Sequence, residues 1–280
     1  MYDRNLRKVL DLLYEKYNDK RYIFNDPIEF PHRYKKEEDI LLIGFISAIF
    51  SYGKVQLFKN VLENLFSTLT DEPVRFLIGI DEKRIDLLTK DIYYRFYSST
   101  DISILLKSLQ KILKEDRLIE FFSAPFRKND IITGITNLRR GFFNEISDIN
   151  KNRFTDGINF MFPDPKANSP LKRIFMFLRW MVRKDNIDFG IINTVESKDL
   201  IIPLDTHTAN IGRLLKMTSR RISDIKCAIE ITNFLRNYSP LDPVKYDFAL
   251  AHIGISEGCR HSFNKDVCKD CILLAFCNNK

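Results

Sequence analysis

Apolar residues in this chain return at steps of three and four, in one segment after another. In "NLRKVLDLLYEKY" the residues Leu6, Val9, Leu10, Leu13 and Tyr17 fall on one face of a helix. "DISILLKSLQKIL" and "CAIEITNFLRNY" repeat the pattern. "DILLIGFISAIFSYGKVQLFKNVLENLFSTL" opens too apolar to keep a wet side, which predicts a buried central helix followed by an amphipathic one. Ten glycines and ten prolines are too few for a β-sandwich that turns every ten residues or so. The period therefore predicts an all-α protein.

Three stretches interrupt the helices. "YIFNDPIEFPHRYK" (22–35) is a proline-broken connector, "FPDPKANSP" (162–170) a second break, and "KDNIDFGIINTVESKDLIIP" (184–203) a long loop or insertion. The opening "MYDRNLRKVLDLLYEKY" is charged throughout and lacks the apolar core of a secretion signal. The longest apolar stretch, Ile40 to Phe50, is broken by Gly44 and Ser47 and is too short to cross a bilayer. The expectation is a cytoplasmic protein without a membrane partner.

Forty-four Lys and Arg against thirty-seven Asp and Glu leave a net charge of +7. That balance favours a polyanion such as nucleic acid; a drift toward Lys, Ile, Asn and Phe, as in an AT-rich genome, would produce it too. One helix carries an asymmetry. In "PLKRIFMFLRWMVRK", Ile174, Leu178, Met181 and Val182 group on one side. Lys172, Arg179 and Arg183 align within roughly 45° on the opposite side. Such a stripe could face phosphates, and any solvated helix face looks the same.

Four of the five cysteines lie in "CRHSFNKDVCKDCILLAFC", spaced C-x8-C-x2-C-x5-C. Nothing places the chain in an oxidising compartment, so a disulfide framework is not expected. Structural zinc commonly uses two C-x2-C knuckles, whereas only one is present, Cys268 with Cys271. A cubane cluster offers irons at separate corners, and one loop can wind around it with unequal gaps. The expected cofactor is a 4Fe-4S cluster on Cys259, Cys268, Cys271 and Cys277, with zinc as the alternative. Cys227, in "IKCAIEI", reads as a small buried hydrophobe.

This loop resembles the end of the endonuclease III-like helix-hairpin-helix DNA glycosylases, which have a slightly shorter first gap and the same x2 and x5 gaps. "DPVKYDFALAHIGISEGC" looks like the family's helix leading into the first cluster cysteine, and "LIIPLDTHTANIGRLL" like the stretch bearing its catalytic aspartate. "DILLIGFISAIFSYGKV" is a weaker echo of its long apolar helix. The likeness covers the last eighty residues well and the rest loosely. More narrowly, the chain is similar to a bacterial family placed near these glycosylases that has no established activity.

The resemblance implies a two-lobed helical fold. Its lobes would be a central bundle over 36–195 with a degenerate hairpin element, and a second domain made of 1–35 and 196–280 with the iron–sulfur loop at 259–277. It implies a DNA-repair glycosylase, monomeric, that hydrolyses the N-glycosidic bond of a flipped-out damaged or mismatched base. Asp205 would be the carboxylate that stabilises positive charge on the sugar. Asp205 also reads as an ordinary N-cap, and the two roles are compatible. His207, with Thr206, could contact phosphate at the helix start.

The family's hairpin reads Leu-Pro-Gly, any residue, Gly, then a basic pair. In "FPDPKANSPLKRIFMFLRW" the pair Lys172–Arg173 remains and both glycines are gone. Lys172 is then the candidate Schiff-base nucleophile for a doubtful lyase activity, with Arg173, Arg179 and Arg183 on DNA. In "SYGKVQ", Tyr52, Lys54 and Gln56 have chemistry suited to the gap that a flipped base leaves, although a helix-end turn at Gly53 explains the segment as well. Arg139 and Arg140 are a basic pair without specific meaning. The competing functions are a non-catalytic iron–sulfur nucleic-acid-binding protein on the same scaffold and a redox or metal sensor.

Overall fold

A computed structural model of the chain describes residues 3–24 and 26–278. In order, the helices are α1 (Arg4–Tyr17), α2 (Glu37–Phe50), α3 (Val55–Ser67), α4 (Pro73–Gly79), α5 (Glu82–Thr89), α6 (Ser99–Lys114) and α7 (Leu118–Ser123). They continue with α8 (Ile131–Asn150), α9 (Asp156–Met161), α10 (Lys172–Val182), α11 (Thr206–Leu214), α12 (Ile225–Arg236), α13 (Asp247–Ile255) and α14 (Lys265–Cys268). Among the described residues there is no named strand, only two isolated bridges, so the protein is all-α as the spacing predicts. No helix among them is long and apolar enough to cross a membrane.

The chain divides into two compact units. One holds residues 23–167 with 190–195; the other joins 1–22, 168–189 and 196–280. The sequence-based division differs from this at two places. Residues 23–35 group with the central unit, and 168–189, with α10, group with the chain ends.

The central unit is built around α2, buried from Asp39 to Phe50. Asp39, 3% exposed, accepts the Val74 N–H at 3.1 Å and so caps α4 from another helix. Phe45, Phe122 and Phe142 form an aromatic core with Phe162, ring centroids 4.6–6.3 Å apart. A Ser98–Asp101 capping box starts α6. Asp101 also accepts the Thr155 hydroxyl, which draws the start of α9 against α6.

In the second unit, Asp3 caps α1, which buries Leu6, Leu10, Leu13 and Tyr17 and packs on α13. In α10 every residue from Phe175 to Met181 is buried, Trp180 completely. Leu200 to Leu204 form a buried extended run that delivers the chain to α11, and α11 packs on α12 and α13. The Ile202 N–H, donated to the Thr232 hydroxyl at 3.0 Å, fixes that run to α12.

Candidate functional site

Asp205 stands where the buried run ends. It is half-buried, its backbone is extended, and its carboxylate accepts the Thr208 N–H at 2.7 Å as the N-cap of α11. Two residues on, His207 packs against α13 at Gly254, where a Cβ would collide with the His207 Nδ1. That Nδ1 is buried and has no hydrogen-bond partner among the described residues. The imidazole also faces His261, ring centroids 5.4 Å apart. Asn210, one turn further along α11, meets the His261 Nδ1 at 3.3 Å. Burial holds the His261 pKa below its ordinary value, His207 pushes it the same way, and the nearby Asp205 charge opposes them.

His261 belongs to the cysteine loop. Gly258, at φ 71, turns the chain out of α13, and the Cys259 N–H bonds back to the Ile253 carbonyl at 3.2 Å. Asn264 caps α14, and its backbone N–H donates to the Cys268 Sγ at 3.4 Å. Cys271 and Cys277 follow in tight turns, and the Asn278 N–H closes the loop onto the Leu214 carbonyl of α11 at 2.9 Å.

All four thiols are half-buried and line one pocket, otherwise walled mostly by apolar side chains such as Ile211, Leu214 and Ile253. Burial pushes the Cys271 thiol up in pKa, and the other three cysteines add to that rise. Among the described residues, no three or more His, Cys, Asp or Glu form a group that could hold a metal ion. Cys227 is fully buried in α12, as its spacing suggests.

The basic stripe on α10 is corrected. Arg179 and Arg183 are each 4% exposed and cannot meet a phosphate. Arg179 pairs with Asp247 of α13 at 2.6 Å and with Asp188 at 3.3 Å. Arg183 pairs with Asp242 at 2.9 Å, with Asp185 at 3.0 Å and with Asp188. A buried cation needs such partners, because its desolvation is otherwise uncompensated. Lys172 and Arg173 stay half-buried in the first turn of α10, behind Leu171 in a left-handed conformation at φ 51.

Two guanidiniums face four carboxylates in this network. Burial drives the Asp247 carboxyl up to about 6; Arg179 resists and the Asp205 charge assists. A carboxyl raised by folding binds its proton more tightly in the folded state. Its stabilisation is therefore complete below about pH 4 and fades as pH rises through about 6, by at most about 3 kcal/mol. The Asp247→Asn variant lacks that titration. Its stability deficit relative to the parent is expected to be larger at pH 5 than at pH 7.5, as read from urea melts at the two values. A deficit that grows with pH would contradict the assignment.

Tyr52 and Lys54 belong to the central unit. The Tyr52 hydroxyl donates to the Tyr94 carbonyl at 2.9 Å and accepts the Phe96 N–H at 3.3 Å, while the Tyr94 hydroxyl donates to the Tyr52 carbonyl. Tyr52 is thus a structural tie as well as a ring, and Lys54 is the exposed residue at the start of α3. The sequence reading missed the Asp247–Arg179 pair, the packing of His207 on Gly254, and the meeting of His207 with His261. The last had a visible clue. Only four histidines occur, and one sits inside the cysteine loop.

A family model described as a protein of unknown function (DUF2400) matches residues 26–256, a segment that contains Asp205 and ends before Cys259. No curated protein and no solved structure matches the chain.

Proposed function

The chain belongs to the DUF2400 family, and we propose that it is a monomeric cytoplasmic DNA glycosylase of the repair type, with Asp205 as its working carboxylate. The observation that carries this reading is the setting of Asp205: a half-buried carboxylate at a helix start, held as the N-cap of α11, whose charge is felt by His261 of the cysteine loop and by Asp247 of α13. Breaking an N-glycosidic bond builds positive charge on the sugar, and a fixed carboxylate stabilises that charge as it forms. Asp205 would also accept a proton from the attacking water. Its cap bond orients one carboxylate oxygen and leaves the other for substrate. Leu171 adds support. Directly before Lys172, it takes the left-handed backbone that glycine adopts without strain.

Cys259, Cys268, Cys271 and Cys277 would hold a 4Fe-4S cluster. Four thiols around one apolar pocket suit a group that needs a ligand at each of four separate irons. Bound there, the cluster would cross-link the loop and offer a redox-active centre. Hydrolysis itself consumes no electron.

The test is incubation with a panel of oligonucleotides, each carrying one damaged or mismatched base, with borohydride added to trap any Schiff base. Base release from at least one substrate is expected. A borohydride-trapped adduct that disappears in Lys172→Ala would add lyase activity. A panel with no release would leave the non-catalytic nucleic-acid-binding protein on the same scaffold.

A further inference from the structure

The central unit has a surface of its own where large rings and cations are presented together. Tyr94 and Tyr97 exchange two backbone hydrogen bonds, each 2.8 Å, and close a two-residue turn. Their rings are 4% and 1% exposed, so the residues between and before them point outward. Phe96 is 58% exposed and Tyr93 75%. Arg95, also exposed, holds φ 53, and its guanidinium lies 5.6 Å from the Tyr52 ring centre and 5.9 Å from that of Phe96. Gly53 permits this approach, since a Cβ there would stand 2.6 Å from the Arg95 Nη1. Lys54 follows, exposed.

This tip is held firmly. The Phe96 ring backs onto Phe160, centroids 4.7 Å apart, and its N–H is donated to the Tyr52 hydroxyl. A two-residue turn calls for a positive φ at its first central residue, and Arg95 supplies it. A ring more than half exposed yet backed by Phe160 and Tyr52, with the Arg95 guanidinium near it and Lys54 exposed on the adjoining segment, matches the two halves of a nucleotide: the ring for the base face, the cations for the phosphates. Duplex DNA hides its base faces, and an apolar protein partner would have to bury the charges of Arg95 and Lys54. The net charge of +7 has the sign this ligand needs.

We propose that the Tyr93–Phe96 turn is a stacking site for an unpaired base of single-stranded DNA, with Arg95 and Lys54 on the neighbouring phosphates. The site goes beyond the glycosylase reading and needs none of the Asp205 chemistry. It is tested by fluorescence anisotropy with fluorescein-labelled dT15 and with a labelled 15-base-pair duplex, on the full chain. Phe96→Ala is expected to weaken dT15 binding about tenfold or more and to change duplex binding less than twofold. Phe96→Trp should restore dT15 binding, and Arg95→Ala should lower the slope of log affinity against log salt by about 0.7. Phe96 is exposed, so both variants should melt close to the parent. Unchanged dT15 binding in Phe96→Ala, or an equal loss on dT15 and duplex, overturns the proposal. Base release is not read, so the outcome is separate from that of the glycosylase assay.

Discussion

Asp205→Asn is expected to lower base release by about 10²- to 10⁴-fold, the range for loss of a positioned proton-transfer group, while DNA affinity stays within a few-fold. The prediction separates the cap that Asp205 is from the working carboxylate that it is proposed to be. As an N-cap, Asp205 accepts the Thr208 N–H at 2.7 Å, and asparagine caps a helix about as well as aspartate. The Asn variant therefore keeps α11 and loses only the negative charge. DNA binding would rest mainly on phosphate contacts, which the substitution would leave in place. Asp205→Ala removes the cap as well and should cost about 1 kcal/mol more in stability. Single-turnover rates, affinities and melts of the three proteins decide the matter. If Asn keeps the base release that Ala loses, Asp205 is only a cap and its role as the working carboxylate falls.

Much of the fold could be read before the structure because the relevant forces are local. A run such as Ile40–Phe50 has no polar side to offer water, so α2 had to be buried. The Asp205 cap was legible because a cap involves only residues three apart. The α10 stripe was misread for the opposite reason. Lys172, Arg179 and Arg183 do share a face, but a face is wet only if nothing returns to cover it. The covering carboxylates Asp242 and Asp247 lie 59 and 68 residues away from their partners, and no helical period reveals that. The same limit moved 168–189 to the other unit, since unit membership is decided by long-range packing. His207 and Gly254 meet for a steric reason visible only once α11 and α13 are side by side.

Cys271→Ser is expected to have the largest structural consequence. The parent, reconstituted with iron and sulfide, should absorb near 400 nm as thiolate-held clusters do and carry about four irons per chain. The variant should lose both the absorbance and most of the iron. Cys271 is the informative position because its thiol feels burial and all three of the other cysteines, so it sits within the group rather than at its edge. The loop has little else to hold it. Leu273 is its one buried apolar side chain, and it closes onto α11 through the Asn278 bond. Metal–thiolate bonding can supply folding free energy on the order of 10 kcal/mol in small sites. Without it, the 259–277 segment should become the first site of limited proteolysis, and the packing of His261 against His207 should loosen with it. That second effect would carry the damage to α11 and lower base release. A colourless parent with one zinc per chain would reassign the group. A Cys271→Ser protein that kept its absorbance and protease resistance would remove the cysteines from any shared centre.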